Sequence, residues 1–282
     1  MEFYTGLLGL RLVKLTVNFD DPSSYHLYYG DTSGAPGTIL TFFSWPGAER
    51  ARMGQGVVEK THLRAPSGSL SFWQQRLSSS HVEARLHDGA LAFCDFDGLQ
   101  FELAEGETPA HVMPWTKVVP ENYALSGMRG VTLRVGSPSA TSAVLGGELG
   151  LTPNGENEWA APSGDFVRLN IDPKSPRAGM GSGGVHHVAF RSRSEAEQRD
   201  WLLDLRGAGL GASPVMDRDY FRSIYFREPG GTLFEIATDG PGFTVDEPLA
   251  SLGESLRLPA QFEPCCAQIA ANLQPLRLPE AR

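Results

Sequence analysis

Four short stretches of this 282-residue chain echo one another, and their spacing limits the fold more than any other feature. TLFEIATD (232–239) closely resembles LQFELAEG (99–106), and TILTFFSW (38–45) and DFVRLNID (165–172) are weaker echoes. Their central residues, Thr41, Glu102, Arg168 and Glu235, lie 61, 66 and 67 residues apart. Each stretch alternates in the manner of a strand, and the turn signals EPGG and DFDG precede the two clearest ones. A recurrence of this length marks a chain assembled from similar supersecondary units.

Within each later quarter the order of patterns is the same. An opening strand is read at VVEKTHLRAP (57–66), MRGVTLRVGSP (128–138) and GVHHVAFRS (184–192). A helical pattern follows at GSLSFWQQRL (68–77), SATSAVLGGELG (139–150) and SEAEQRDWLLDLRGAG (194–209). In the last of these Trp201, Leu202 and Leu205 share a face, and Gly207 and Gly209 sit where a helix stops. Shorter strands then lead to the alternating one. Such a β-α-β-β-β unit makes a small curved sheet with a helix outside it, and two units side by side enclose a cleft. The expected class is α+β, with four βαβββ modules paired into two half-barrel domains, 1–120 and 121–245. A tail follows at 246–282, with one short helix. The first quarter departs from the rule: the sequence opens inside its helix, at MEFYTGLLGL, and the module lacks its opening strand.

A net charge of −9 with no basic cluster argues against a nucleic-acid partner, because phosphate contacts need concentrated positive charge. No apolar run is long enough to span a membrane, and the opening residues have neither the basic leader nor the cleavage site of a secretion signal. Cys94, Cys265 and Cys266 have no zinc or redox spacing, and the vicinal pair reads as part of a helix. A cytoplasmic protein is expected.

Adjacent strand residues face opposite ways, which separates His186 from His187. Val188 and Phe190 would pack on the helix, with His186 on their side. His187 shares the other side with Ala189, and by the same alternation Glu235 lies opposite Phe234 and Ile236. An imidazole and a carboxylate on one concave surface suit a divalent first-row ion. At the matching positions of the second quarter stand Lys60 and Glu102, which read as a salt bridge or a solvated carboxylate. The third has Gly130 and Arg168, which give no donor set. Between the two strands of the fourth quarter, Arg218 is suited to an anionic oxygen and Tyr225 to donating a proton or hydrogen bond. Arg222 and Arg227 read as edge packing. Overlaying YHLYYGD (25–31) on RSIYFRE (222–228) turns His26 and Tyr28 toward the cleft. His26 is then a candidate general acid or base, with a structural role equally open.

Paired βαβββ modules with an opening His and a closing Glu resemble the vicinal oxygen chelate superfamily, which includes glyoxalase I, bleomycin-resistance proteins and extradiol ring-cleaving dioxygenases. More narrowly, GLLGLRLVKLTVNFDDPSSYHLYYGD (6–31), PGTILTFFSWPGA (36–48), DRDYFRSIYFREPGGTLFEIATDGPGF (217–243) and LGESLRLP (252–259) look like the hydroquinone-type ring-cleaving dioxygenases. The resemblance implies an Fe(II) enzyme that opens a hydroquinone-like aromatic ring with O2. His187 and Glu235 match metal ligands, His186 a residue beside the substrate, and Arg218 and Tyr225 residues of the pocket wall. In the family another metal histidine stands on an N-terminal strand ahead of the EFYTG helix, and this sequence starts after it. His26 belongs to a different strand. The expectation is a start assigned to an internal methionine, or a shortened chain; a true variant lacking the strand would have two protein ligands, an unpaired sheet edge and weak metal binding.

Two rivals follow from the same residues. A glyoxalase-like lyase or isomerase, with Zn2+ or Ni2+ (Mn2+ being a further alternative metal), would need a basic rim for an anionic thiol conjugate, for which Arg218 is the one candidate. A metal-free binding protein for aromatic or quinone compounds fits the absent ligand strand but leaves the His187–Glu235 pair unexplained. The expected partners are a small aromatic substrate and O2, and a homo-oligomer is compatible with the chain.

Overall fold

A computed structural model describes residues 1–276, so the end of the expected tail, 277–282, lies outside the described residues. A π-helical turn at Phe3–Leu7 leads into a three-stranded antiparallel sheet of β1 (Arg11–Val17), β2 (Tyr25–Gly30) and β3 (Leu40–Phe43), in the order β1-β2-β3. Next come β4 (Val57–Ala65), helix α1 (Leu70–Ser79), β5 (Ala84–His87), β6 (Ala90–Cys94) and β7 (Gln100–Glu105). They are followed by β8 (Met128–Val135), α2 (Pro138–Ala143), β9 (Thr152–Pro153), β10 (Glu158–Ala160) and β11 (Phe166–Ile171). The ten elements give one eight-stranded sheet, ordered β5-β6-β7-β4-β8-β11-β10-β9. The third sheet is built from β12 (Val188–Ser192), β13 (Met216–Asp217), β14 (Arg222–Arg227) and β15 (Leu233–Thr238), in the order β12-β15-β14-β13, with α3 (Glu195–Gly207) between β12 and β13. The class is mixed α+β, as expected.

Sheets and cores partition the chain differently. The antiparallel β4–β8 pair makes one sheet across residues 57–171. One large apolar core instead gathers residues from Phe3 to Leu125, and the second draws almost wholly on residues from Val131 to Ile236. Each core lies on the helix side of its sheets. There Trp73 and Leu77 of α1, and Leu205 of α3, are fully buried, each such side chain contributing about 2 kcal/mol. The opposite, concave faces are left for polar groups.

Helix α3 shows how the local sequence enforces this. Ser194 stands in extended conformation at the N-cap and accepts from the Glu197 amide at 3.1 Å. The helix ends at Gly207, and Gly209 takes φ +76°, a backbone that favours glycine. Leu205 buries fully, while Trp201 and Leu202 pack against the same core. Gln198 donates to the carbonyls of Arg222 and Ile236 at 2.7 Å each, fixing the helix to the backs of β14 and β15.

The segment after β15 returns to the first sheet. Leu256 bridges Leu15 in parallel, and the Arg257 amide donates to the Leu15 carbonyl. Arg11 donates to the Ala250 carbonyl at 3.1 Å. Lys14, fully buried on β1, lies 2.6 Å from Asp246 and also pairs with buried Glu247. Gly253 approaches so closely that a Cβ there would stand 2.0 Å from the Leu12 carbonyl oxygen. Beyond it, α4 (Cys266–Asn272) begins at the second of the two vicinal cysteines, both exposed and unlinked.

Candidate active site

Phe234 and Ile236 are fully buried on the helix side of β15, which turns Glu235 to the concave side. On β14, Tyr225 stands directly opposite Glu235, with Ser223 two residues earlier on the same face. Glu235 Oε1 accepts from Tyr225 Oη at 3.0 Å and from Ser223 Oγ. Oε2 accepts from His187 Nε2 at 2.7 Å. Burial pushes the Glu235 carboxyl up, but His187 and the two hydroxyl donors outweigh it and hold it below the ordinary carboxylate range. The group is therefore an anion with every oxygen engaged.

His186 and His187 precede the first residue of β12, so strict strand alternation does not govern them. The sequence reading set His186 on the Val188/Phe190 side, nearer the helix layer or a strand edge. Instead its ring meets Phe43 and Trp45 edge-on, at centroid distances of 5.7 and 5.9 Å, on the side of the first sheet. The two imidazoles touch through Nδ1 atoms 2.8 Å apart. If His187 Nε2 offers its lone pair to a metal, its ring hydrogen sits on Nδ1, and His186 Nδ1 is the acceptor. Burial, and then the neighbouring His187, lower His186 to about 4, in keeping with a neutral ring that can accept. His186 thus orients His187, the arrangement common behind metal-ligating histidines.

Arg218 is already engaged. Its guanidinium bonds Asp20 at 3.1 and 3.4 Å and lies over the rings of Tyr225, 5.5 Å away, and Phe19, 5.4 Å away. Tyr225 likewise spends its hydroxyl on Glu235. Both are committed to neighbours rather than offering free groups. His26, on β2, enters from the first sheet and stacks on Phe43, with ring centroids 4.3 Å apart. Phe43 in turn stacks on Trp45 at 5.0 Å and 17°. The chain of rings His26–Phe43–His186–His187 therefore joins the first sheet to the third. Sequence reading missed three members: Ser223, Phe43 and Trp45. Ser223 carried a signal, being two residues from Tyr225 on one strand. Phe43 pairs with His26 in the β2–β3 register, which no local pattern announces.

The donors suit a divalent ion. Two cis ligands, each about 2.1 Å from a six-coordinate ion, stand about 3 Å apart. The 2.7 Å between His187 Nε2 and Glu235 Oε2 needs only a slight opening to admit one. Among the described residues no cluster of three or more His, Cys, Asp or Glu side chains is placed to hold a metal, so the protein donors here are two. Glu102, the matching acidic residue of β7, is tied elsewhere. It pairs with Lys60 at 2.8 Å and His62 at 3.1 Å, and His62 also bonds Thr132. The His62 hydrogen bond, followed by that of Lys60, lowers its pKa to about 2 against the opposing effect of burial. It is a structural ion pair.

Comparison with known proteins adds to this geometry. Residues 1–236 match the family described as the glyoxalase/bleomycin resistance protein/dioxygenase superfamily. The chain is 42% identical to "Putative ring-cleaving dioxygenase MhqO" of Bacillus subtilis, over 99% of this chain and 92% of that one. It is 33% identical to the chlorohydroquinone/hydroquinone 1,2-dioxygenase of Sphingobium indicum, over 93% of this chain and 88% of that protein. A crystal structure of a "putative dioxygenase" from Bacillus subtilis superposes with a TM-score of 0.93 at 41% identity, covering 99% of this chain and 93% of that one. Glyoxalase I from Zea mays shares the fold, with a TM-score of 0.59 at 14% identity over 84% of this chain and 86% of its own.

Proposed function

Because the chain belongs to the glyoxalase/bleomycin resistance protein/dioxygenase superfamily and aligns nearly end to end with ring-cleaving dioxygenases, we propose that it opens hydroquinone-like aromatic rings with O2, extradiol fashion, using Fe(II). The observation that carries this reading is the His187–Glu235 contact, two donors of the right kind beside the rings of Tyr225 and His186, the latter against Phe43 and Trp45. His187 Nε2 and Glu235 Oε2 would hold the iron. When bound, Fe(II) would supply a Lewis acid for a ring hydroxyl and a redox partner for oxygen.

The residues of the chain do the rest. Ser223 and Tyr225 fix the Glu235 carboxylate from one side, leaving Oε2 for the ion. His186 fixes the rotation of His187. Phe43 and Trp45 offer a flat apolar surface on which an aromatic ring can lie. Arg218, lying over Tyr225 and bound to Asp20, places positive charge beside the Glu235 end of the site and favours the deprotonated form of a phenolic ligand.

The test is oxygen consumption after anaerobic loading with Fe(II), with hydroquinone as substrate and the ring-opened product read by its absorbance. Uptake of one O2 per ring consumed is the expected result. Fe(II)-loaded protein that binds metal yet consumes no oxygen with any hydroquinone would overturn the reading.

A further inference from the structure

His26 has a feature the proposed chemistry leaves unused. It is 8% exposed, and its Nε2 is buried with no hydrogen-bond partner among the described residues. Its Nδ1 lies 2.8 Å from the hydroxyl of Tyr28, which is 1% exposed. The two side chains are two residues apart on β2 and so share a face, with ring centroids 4.0 Å apart.

Counting hydrogen-bonding groups assigns the proton. The one side-chain hydrogen bond of Tyr28 among the described residues is the one to His26. If Tyr28 O–H donates to Nδ1, the imidazole carries its hydrogen on Nε2, and a single buried group, Nε2–H, is left unmade. If Nδ1–H donates to the tyrosine oxygen instead, both the tyrosine hydrogen and the Nε2 lone pair are left unmade. Each unmade buried group is costly, so the first arrangement prevails. Burial, reinforced by the nearby His187, Arg218 and His186, keeps the ring neutral. The ring packs on Phe43, which meets His186, which in turn touches His187, so it stands on the first-sheet side of the His187–Glu235 pair.

We infer that His26, locked by Tyr28 as the Nε2–H tautomer, is a hydrogen-bond donor to a ring oxygen of a hydroxylated aromatic ligand. This rests on the substrate class proposed above and deepens it. With one ring hydroxyl at the His187–Glu235 end, a donor on the first-sheet side recognises a second oxygen, which is how a dihydroxy ring is told from a phenol. A site built to hydrogen-bond a substrate oxygen discriminates strongly against the analogue lacking it, because the buried donor is otherwise unpaired.

The experiment has two readouts. The first is the tautomer, read by long-range proton–nitrogen correlation on histidine-labelled protein without ligand. Nε2–H on His26 in the wild type, with that preference weakened in Tyr28→Phe, is expected; an Nδ1–H tautomer overturns the inference. The second is anaerobic calorimetric titration of the Fe(II)-loaded protein with hydroquinone and with phenol. The wild type should prefer hydroquinone about tenfold, as expected for one donor. His26→Gln, which keeps an N–H near the same point, should retain most of the preference, and His26→Phe should lose it. A full preference persisting in His26→Phe overturns the inference while leaving the dioxygenase reading intact. Failure of the wild type to bind either compound overturns both. Should His26→Phe not fold, Tyr28→Phe carries the same test, with an expected drop of about threefold; an unchanged preference there counts against the lock.

Discussion

Tyr225 and Glu235 face each other directly across β14 and β15, and the tyrosine hydroxyl donates to Glu235 Oε1 at 3.0 Å. Ser223 donates to the same oxygen. The carboxylate thus has one oxygen anchored and the other presented to His187. That orientation comes from strand register, and it gives Tyr225 the task of aiming a donor.

Removing the anchor should therefore weaken metal binding without abolishing it. Tyr225→Phe is expected to reduce affinity for Fe(II) or Mn2+ about 10- to 100-fold, the usual effect of losing a partner of a ligand. Competition with a chelator measures it. Unchanged affinity would show that Glu235 needs no aid from Tyr225.

Loss of either donor is a harsher change. His187→Ala and Glu235→Ala should each abolish metal retention through gel filtration, read by elemental analysis. Glu102→Ala, which breaks only the pairing of Glu102 on β7 with Lys60 and His62 on β4, should leave metal content unchanged. Equal metal content in the wild type and Glu235→Ala would remove Glu235 from the site.

Glu102 makes its own prediction about acid. Its folded pKa, about 2, lies below the ordinary value of 4.5, so the carboxylate is preferred in the folded state. The resulting stability is fully present above about pH 4.5 and fades as pH falls toward 2. Glu102→Gln should cost about 1–2 kcal/mol at pH 7, allowing for partial solvent screening. The difference from wild type should shrink steadily between pH 4.5 and 2. Urea unfolding at pH 7, 4 and 3 would check this, and a gap that does not narrow would refute it.

Lys14 should matter more. Replacing it with Met leaves Glu247, 1% exposed, without its buried cation, a loss of about 3–5 kcal/mol. Urea unfolding should show that loss, and limited proteolysis should cut first between residues 246 and 257. A stability within 1 kcal/mol of the wild type would mean that Ser255 and Arg257 suffice for Glu247.

Local sequence pattern reaches some of this architecture and stops at identifiable points. Alternation around Phe234–Ile236 separates Glu235 from the core, and the recurrence at Glu102 and Glu235 supplies the frame. The two acidic residues differ because Lys60 and His62 flank one and His187 the other, which is readable along the chain. What pairs over long distances is not. Asp20 captures Arg218 from 198 residues away, so the arginine that reads as a free anion binder is occupied. His186 escapes the alternation rule because β12 starts two residues later. The β4–β8 pairing, which fuses residues 57–171 into one sheet, depends on register between strands that no local signal links.

The return of residues 246–257 to β1 also sets an order of events during synthesis. Lys14 is made long before its counter-charges: Asp246, Glu247 and the Leu256 bridge to Leu15 exist only after some 230 more residues have been joined. Until then a cationic side chain destined for the interior has no partner, and the outer border of the first sheet stays unfinished. On a ribosome adding about 5–20 residues each second, the N-terminal sheet that presents His26 must wait at least ten seconds or so before it can settle.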